Sequence, residues 1–306
     1  MFLRRKLTVM ATVALLSTSL LAGCSSSGGD SSSGGTGSGK TATAAEVLEN
    51  KNARAAISMM IDKQAYCDVI LNNGSIPVST FTPKGLAFDN GKDYTDLTEG
   101  MGYEYNEEQA KELWAKAKEE VGFDTVEMEL LTFDHDTGKR TGEYIQSELS
   151  DLEGLTVKVS NLPFEQKLER ETNGEFDLAF SGWGADYPDP LTYLSTMQTG
   201  SQFSNQVGYN SEEYNKLIEE ATKLPITEGY AKYAEAEKLM LEDGYLAPIY
   251  QKASAYLEKD YVSGIVNNSW GADYTYTYAD VDKDDKVLNL ATSSDIPTLD
   301  LSKATD

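Results

Sequence analysis

The chain has 306 residues, room for one large domain or two smaller ones, and its 40% hydrophobic and 25% charged residues suit a packed core rather than global disorder. Fifty acidic residues against 26 basic ones give a formal charge of −24, which argues against a general nucleic-acid binder because a phosphate backbone needs a basic surface. A single histidine, His135, and two cysteines, Cys24 and Cys67, argue against catalytic triads, His/Cys zinc sites and disulfide frameworks.

Residues 1–23 read as an export leader. Arg4, Arg5 and Lys6 form the positive start, and Leu7 to Leu20 is an apolar stretch too short for a membrane span of about 20 residues. Leu21-Ala22-Gly23-Cys24 has the form of a bacterial lipobox, in which small residues admit a peptidase and the cysteine thiol carries diacylglycerol. The expectation is a lipid anchor at Cys24, with a plain secretory signal as the alternative. Cys67 is then the one ordinary thiol and reads as a buried helix residue.

Residues 24–44 read as a tether rich in serine and glycine, a composition that cannot bury apolar surface. Within it, Gly34-Gly35-Thr36-Gly37-Ser38-Gly39-Lys40-Thr41 matches the phosphate-loop pattern letter for letter. The match is rejected, because the motif works only when a buried strand delivers the loop to a helix N-terminus, and no strand-forming run precedes it.

The body, residues 45–262, alternates helical and strand patterns. Ala53, Ala56, Ile57, Met60, Ile61, Tyr66, Val69 and Ile70 keep a 3.6-residue period and predict one helix over 52–72, closed by Asn73-Gly74. A loop-rich stretch follows over 73–103. Asn106 is an N-cap with Gln109 completing a capping box, for a helix that buries Ala110, Leu113, Trp114, Ala117 and Val121 and ends at Gly122. Strands are predicted at 126–132, 155–159 and 176–181, with helices at 138–149 and 164–171 between them. That β-α-β-α-β order implies a largely parallel sheet with helices on its faces. Helices from Ser211 and over 230–241 follow, then strands at 247–250 and 253–257.

Ligands of open α/β sheets sit beyond the carboxyl ends of the strands. The strand ending near Ser181 therefore points at Gly182-Trp183-Gly184-Ala185-Asp186-Tyr187-Pro188-Asp189-Pro190. The glycines are expected to permit tight turns and close backbone approach. Asp189 reads as the cap of a helix from Leu191, and Trp183 reads equally as a ligand plate or as core packing.

Other constellations carry less. Tyr274, Tyr276 and Tyr278 alternate as on one face of a strand, which fits half-buried packing better than sugar stacking. Trp270-Gly271-Ala272-Asp273-Tyr274 echoes the earlier loop without the context of a second site. Asp280, Asp282 and Asp284 fail the calcium-loop test, since Asp285 replaces the required glycine and Ala291 the closing glutamate. Asp134-His135-Asp136 lacks a second histidine and an acid at metal-ligand spacing.

Several segments together resemble the oligopeptide-binding proteins, the extracytoplasmic solute-binding components of peptide ABC transporters. They are Asn52-Ala53-Arg54-Ala55-Ala56-Ile57-Ser58 with Ile61-Asp62-Lys63, then Pro83-Lys84-Gly85-Leu86, Tyr105-Asn106, Phe176-Asp177, the Gly182–Pro190 segment, Leu239-Met240 and Ala247-Pro248-Ile249-Tyr250. The resemblance implies a periplasmic-binding-protein-like type II α/β lobe, mainly the C-terminal lobe of the family, and a clamp that presents peptide to permease subunits. It also implies a role for Asp186: in the family the aspartate of the Gly-Trp-x-Ala-Asp-Tyr motif binds the peptide's α-ammonium group, with Trp183, Gly184, Ala185 and Tyr187 beside it. No basic residue of the segment is assigned to the peptide carboxylate.

Val287-Leu288-Asn289-Leu290-Ala291 and Asp295-Ile296-Pro297-Thr298-Leu299-Asp300 resemble the opening of the mature family chain. Residues 263–306 are therefore expected to contribute terminal strands of a second, incomplete lobe, in a truncated or rearranged member. The reading is a lipid-anchored extracellular peptide-binding protein without cofactor or catalysis. A non-transporting remnant or interaction lipoprotein, and a secreted hydrolase, are the alternatives.

Overall fold

The computed structural model describes residues 1–3, 39–253, 256–268, 270–271, 274–291, 300 and 302, so Cys24, most of the leader and tether, and Asp295–Thr298 lie outside the described residues. Two compact units are present, Met1–Ser254 and Ala255–Asp306.

In the first unit the elements run β1 (Phe2–Leu3), β2 (Thr41–Ala42), α1 (Ala44–Leu48), α2 (Lys51–Met59), α3 (Glu107–Val121), β3 (Thr125–Phe133), α4 (Asp136–Leu149), β4 (Leu155–Leu162), α5 (Phe164–Asn173), β5 (Leu178–Ala179), α6 (Glu212–Ala221) and α7 (Ile226–Asp243), with shorter helical turns between them. β3 is the middle of the sheet. It pairs parallel with β4 from Val126 opposite Leu155 to Phe133 opposite Leu162, and parallel with β5 at Leu130 and Leu131. β2 lies parallel to its first residues, and β1 runs antiparallel on the far edge of β5. The predicted β-α-β-α-β series is thus a parallel sheet, as its order implied.

Both faces of this sheet are covered. Val126, Met128 and Leu130 of β3, with Leu178 and Phe180, pack against Leu48, Ile57, Trp114 and Ile145. Leu131 and Ala179 point the other way, into a second core with Phe176, Leu194, Met197, Tyr214 and Met240. Alternation along β3 and β5 therefore feeds two cores, as the two-residue period of a strand requires.

The single helix predicted over 52–72 is broken. α2 stops at Met59, Asp62 caps a new turn by accepting the Ala65 N–H at 2.9 Å, and Tyr66–Leu71 is π-helical, ending on Asn72 at φ 43°. A local carboxylate cap outcompetes the apolar period, while Cys67 is buried as expected. The capping box at Asn106 is half made: Asn106 Oδ1 accepts from Gln109 N–H, but the Asn106 N–H donates to Met59 carbonyl oxygen at 2.9 Å.

The predicted strand over 176–181 contracts to two residues, extended by one Phe180 N–H to Leu131 carbonyl bond at 2.9 Å. Of the two later strands, only Tyr250–Gln251 forms, paired with Ile76–Pro77; residues 253, 256 and 257 lie in none. The rejected phosphate loop ends in the sheet rather than at a helix: the Lys40 N–H, which in the motif would face a phosphate, donates to the protein's own Asp124 carboxylate at 2.6 Å.

The second unit has two small antiparallel pairs, Val262–Ser263 with Asp280–Val281 and Val266–Asn267 with Tyr274–Thr275. Tyr274 and Tyr276 stack at 6.2 Å, but Tyr278 lies in a turn, so the three rings do not share a strand face. Val287–Ala291 forms no strand, and Val287 and Leu290 are exposed.

Candidate functional site

β5 delivers the chain to Ser181, whose hydroxyl sits in a buried ionic cluster. Lys167 of α5 is 1% exposed and donates to Glu171 at 2.5 Å and to Ser181 Oγ at 2.6 Å, while Ser181 donates to Glu171. The Lys167 ammonium also lies 4.3 Å from the centre of the Phe133 ring. Burial pulls the Lys167 ammonium down, opposed by the Glu171 carboxylate. This cluster pins the carboxyl end of β5 where the loop begins.

Gly182 and Gly184 are exposed, and neither has a positive φ. Neither position therefore needs glycine for a left-handed backbone. A Cβ built on either meets nothing within 4 Å, so they leave bare backbone facing open space. Trp183 is half-buried: its Nε1–H donates to the Thr192 carbonyl at 2.9 Å, and its ring meets Phe203 edge-on at 5.4 Å. One side of the Trp183 ring therefore packs against the core. Ala185 packs partly against the same core.

Asp186 is fixed at both ends. Its N–H donates to Thr192 Oγ1 at 3.0 Å, and the same hydroxyl lies 3.4 Å from its carboxylate as a donor. Tyr193 OH donates to the Trp183 carbonyl at 3.2 Å, and burial together with Asp186 pushes that phenol up to about 12. Asp186 itself is exposed, and among the described residues no lysine or arginine pairs with it. Tyr187, also exposed, is raised by its partial burial and by Asp189 and Asp186. Asp189 accepts the Leu191 N–H at 2.9 Å, but the N-cap position of that helical turn is Pro190 rather than Asp189 as expected, and the Asp189 carboxyl is raised by burial.

The five residues expected at the site thus stand on one loop. Sequence reasoning did not find Thr192 and Tyr193, which hold the loop from the following helical turn, nor the Lys167–Glu171–Ser181 cluster. The i, i+4 spacing of Lys167 and Glu171 signals an ion pair, but nothing in it signals burial. A pocket of about 410 Å³ lies elsewhere, lined by Glu99, Met101, Tyr103, Lys238 and Glu242 among others, and takes in none of Gly182–Pro190.

Metal chemistry finds no footing among the described residues, where no group of three or more His, Cys, Asp or Glu side chains could hold an ion. His135 serves as the N-cap of α4, its Nδ1 accepting the Gly138 N–H at 3.0 Å. No helix of the described residues is long and apolar enough to cross a membrane.

The sequence profile described as bacterial extracellular solute-binding proteins, family 5 Middle, matches residues 27–205. The chain belongs to this family. Its members are solute-binding proteins rather than enzymes, which removes the hydrolase alternative. The chain is 32% identical to a dipeptide-binding protein of Lactococcus lactis over 247 residues, 78% of this chain and 44% of that one. Among solved structures, Listeria monocytogenes OppA bound to peptide matches with a TM-score of 0.72 at 36% identity, covering 78% of this chain and 46% of that chain. A peptide-binding protein of a peptide ABC transporter matches at a TM-score of 0.63 and 36% identity, covering 68% of this chain and 93% of that shorter one. The chain spans about half the length of the curated relatives it matches. The type II peptide-binding lobe is therefore the observed fold, covering part of these proteins.

Proposed function

We propose that this protein is the extracellular substrate-binding component of an oligopeptide ABC transporter, anchored to the membrane by lipid on Cys24, and that Asp186 receives the α-ammonium group of the peptide. The observation that carries the reading is the Asp186 carboxylate: exposed, held in place through Thr192, and paired with no lysine or arginine among the described residues. Every free peptide carries an N-terminal cation whatever its sequence, so one positioned carboxylate is a general handle for the class. The open backbone at Gly182 and Gly184 gives an extended ligand room to approach the same loop. The printed names of the relatives supply the transporter context: dipeptide-binding, oligopeptide-binding and peptide-bound proteins. The ligand, the permease subunits as partners and the lipid anchor are parts of this proposal.

Calorimetry with short peptides, free and N-acetylated, tests it. Free peptides are expected to bind, and acetylation or Asp186→Asn to weaken binding tenfold or more, about 1.4 kcal/mol or above. Equal binding of free and acetylated peptides would remove Asp186 from its assigned role. Radiolabelled palmitate incorporation that survives Cys24→Ser would remove the anchor.

A further inference from the structure

Three rings gather past the carboxyl ends of β3 and β4. His135 lies nearly parallel to Phe133, with ring centres 5.4 Å and planes 11° apart, and Phe164 is likewise parallel to Phe133 at 6.1 Å and 9°. Neither phenylalanine belongs to either core, and His135 and Phe164 are exposed. Aromatic side chains ordinarily bury their surface in cores or interfaces. These three instead leave a parallel set of rings open to solvent.

The rings are held by their elements. Phe133 ends β3, and the sheet continues one residue past it, where the Asp134 N–H donates to the Leu162 carbonyl at 3.0 Å. His135 is fixed as the cap of α4, which starts so close behind that a Cβ built on Gly138 would come within 2.4 Å of the Phe133 carbonyl oxygen. Phe164 is the first residue of α5. On the same helix, the Lys167 ammonium lies 4.3 Å from the centre of the Phe133 ring and 2.6 Å from Ser181 Oγ. One buried ammonium thus ties the rings to the residue that opens the Asp186 loop. From Ser181 to Asp186 the chain can reach at most about 18 Å when extended, and Gly182 and Gly184 leave bare backbone between them.

We propose that His135, Phe133 and Phe164 form a side-chain platform of the ligand site that Asp186 anchors, and that it takes an aromatic side chain of the bound peptide by stacking. This rests on the reading of Asp186 as the ammonium receptor and adds a preference to it. The ammonium handle accepts any free peptide, and the platform sorts among them. Parallel rings offer a flat surface, so a planar side chain gains over a puckered one of similar size. An extended peptide advances about 3.3 Å per residue and turns successive side chains to opposite sides. A ligand fixed at its first residue therefore brings one set position, and not its neighbours, to the platform.

The test is calorimetry on the whole chain with pentaalanine and with pentaalanine carrying, at one position after the first, either phenylalanine or cyclohexylalanine, its non-planar counterpart. At one position phenylalanine is expected to bind about threefold to tenfold more tightly than cyclohexylalanine. In the double variant His135→Asn/Phe164→Leu that preference should disappear while pentaalanine binds as before, because asparagine keeps the cap of α4. The preference is a ratio taken within one chain, so a loss of folded protein does not mimic it. Equal binding of the two side chains at every position, or a preference that survives the double variant, would overturn the proposal. N-acetylated copies of the same peptides report on Asp186 separately. If acetylation weakens binding and no preference is seen, the platform falls and the ammonium reading stands. If acetylation changes nothing, the ammonium reading falls, and with it the claim that platform and carboxylate share a site. Absence of binding by every peptide would remove both.

Discussion

Thr192 ties Asp186 to the helical turn that follows it: one buried hydroxyl accepts the Asp186 N–H at 3.0 Å and faces its carboxylate at 3.4 Å. The hydroxyl can serve both only in one orientation, so the backbone and the carboxylate are positioned together. Thr192→Val keeps the shape and removes both contacts. An unmade hydrogen bond of this kind costs about 1–3 kcal/mol, less where water can reach the freed groups. The variant should therefore lower the melting temperature by only a few degrees, while weakening free peptides several-fold and leaving acetylated peptides unchanged. Calorimetry beside thermal melting separates the two effects, and equal weakening of free and acetylated peptides would place Thr192 outside ammonium recognition.

Glu237 is a second convergence point, wholly buried in α7. Its carboxylate accepts from Phe81 N–H at 2.7 Å, Thr82 N–H at 3.0 Å, Thr82 Oγ1 at 2.8 Å and Tyr94 OH at 3.1 Å. Burial raises this carboxyl above its ordinary range, and the four donors partly offset that rise. A raised acid binds its proton more tightly when folded than unfolded, so stability attributable to it is greatest at low pH and declines as pH rises above the unfolded value near 4.5. Glu237→Leu leaves four donors without an acceptor and is expected to cost about 3–5 kcal/mol. Glu237→Gln should cost less and flatten the stability–pH curve above pH 4.5. Urea denaturation between pH 4 and 8 gives both numbers; an unchanged slope in the glutamine variant would show that this group is not the one titrating.

Both convergence points show where the sequence was legible. The parallel sheet could be read because Val126, Met128 and Leu130 alternate, Leu155, Val157 and Val159 do likewise, and capping residues such as Asn106 and Ser211 carry their signal locally. The loop carrying Asp186 could be found because it follows a strand and because its motif resembles a family. What escaped depends on partners far along the chain. Phe81 and Thr82 meet Glu237 more than 150 residues away, and no local period announces it. The break after Met59 escaped for the opposite reason: the apolar period of 52–72 is strong, and a single capping carboxylate, Asp62, overrode it. The second edge of β5 was hidden altogether, since the strand that pairs with it, Phe2–Leu3, lies in the stretch read as leader.

The buried pair Lys167–Glu171 gives an asymmetric prediction. Removing one partner strands the other charge, whereas removing both does not. Lys167→Met should destabilise the protein by about 3–5 kcal/mol, and Lys167→Met combined with Glu171→Leu should recover most of that loss. Denaturant midpoints for the two single variants and the double variant close the cycle. Additive losses would mean that the 2.5 Å contact contributes no coupling.

Close packing between α4 and the sheet sets the last prediction. Gly142 lies on the buried face of α4, where a built Cβ would come within 2.5 Å of Val159 Cγ1 and 3.2 Å of Thr132 Oγ1. Helix propensity alone favours alanine over glycine by about 1 kcal/mol. Here that gain is opposed by a methyl group driven into β4, and overpacking of this kind costs about 1–3 kcal/mol. Gly142→Ala is therefore expected to be neutral to destabilising by about 2 kcal/mol, against the sign of its propensity. Gly142→Ala combined with Val159→Ala should restore the propensity gain relative to Val159→Ala alone, because the clashing branch is gone. Chemical denaturation of the four chains reads the sign directly, and a single variant more stable than the parent would show that α4 can lift from β4 without loss.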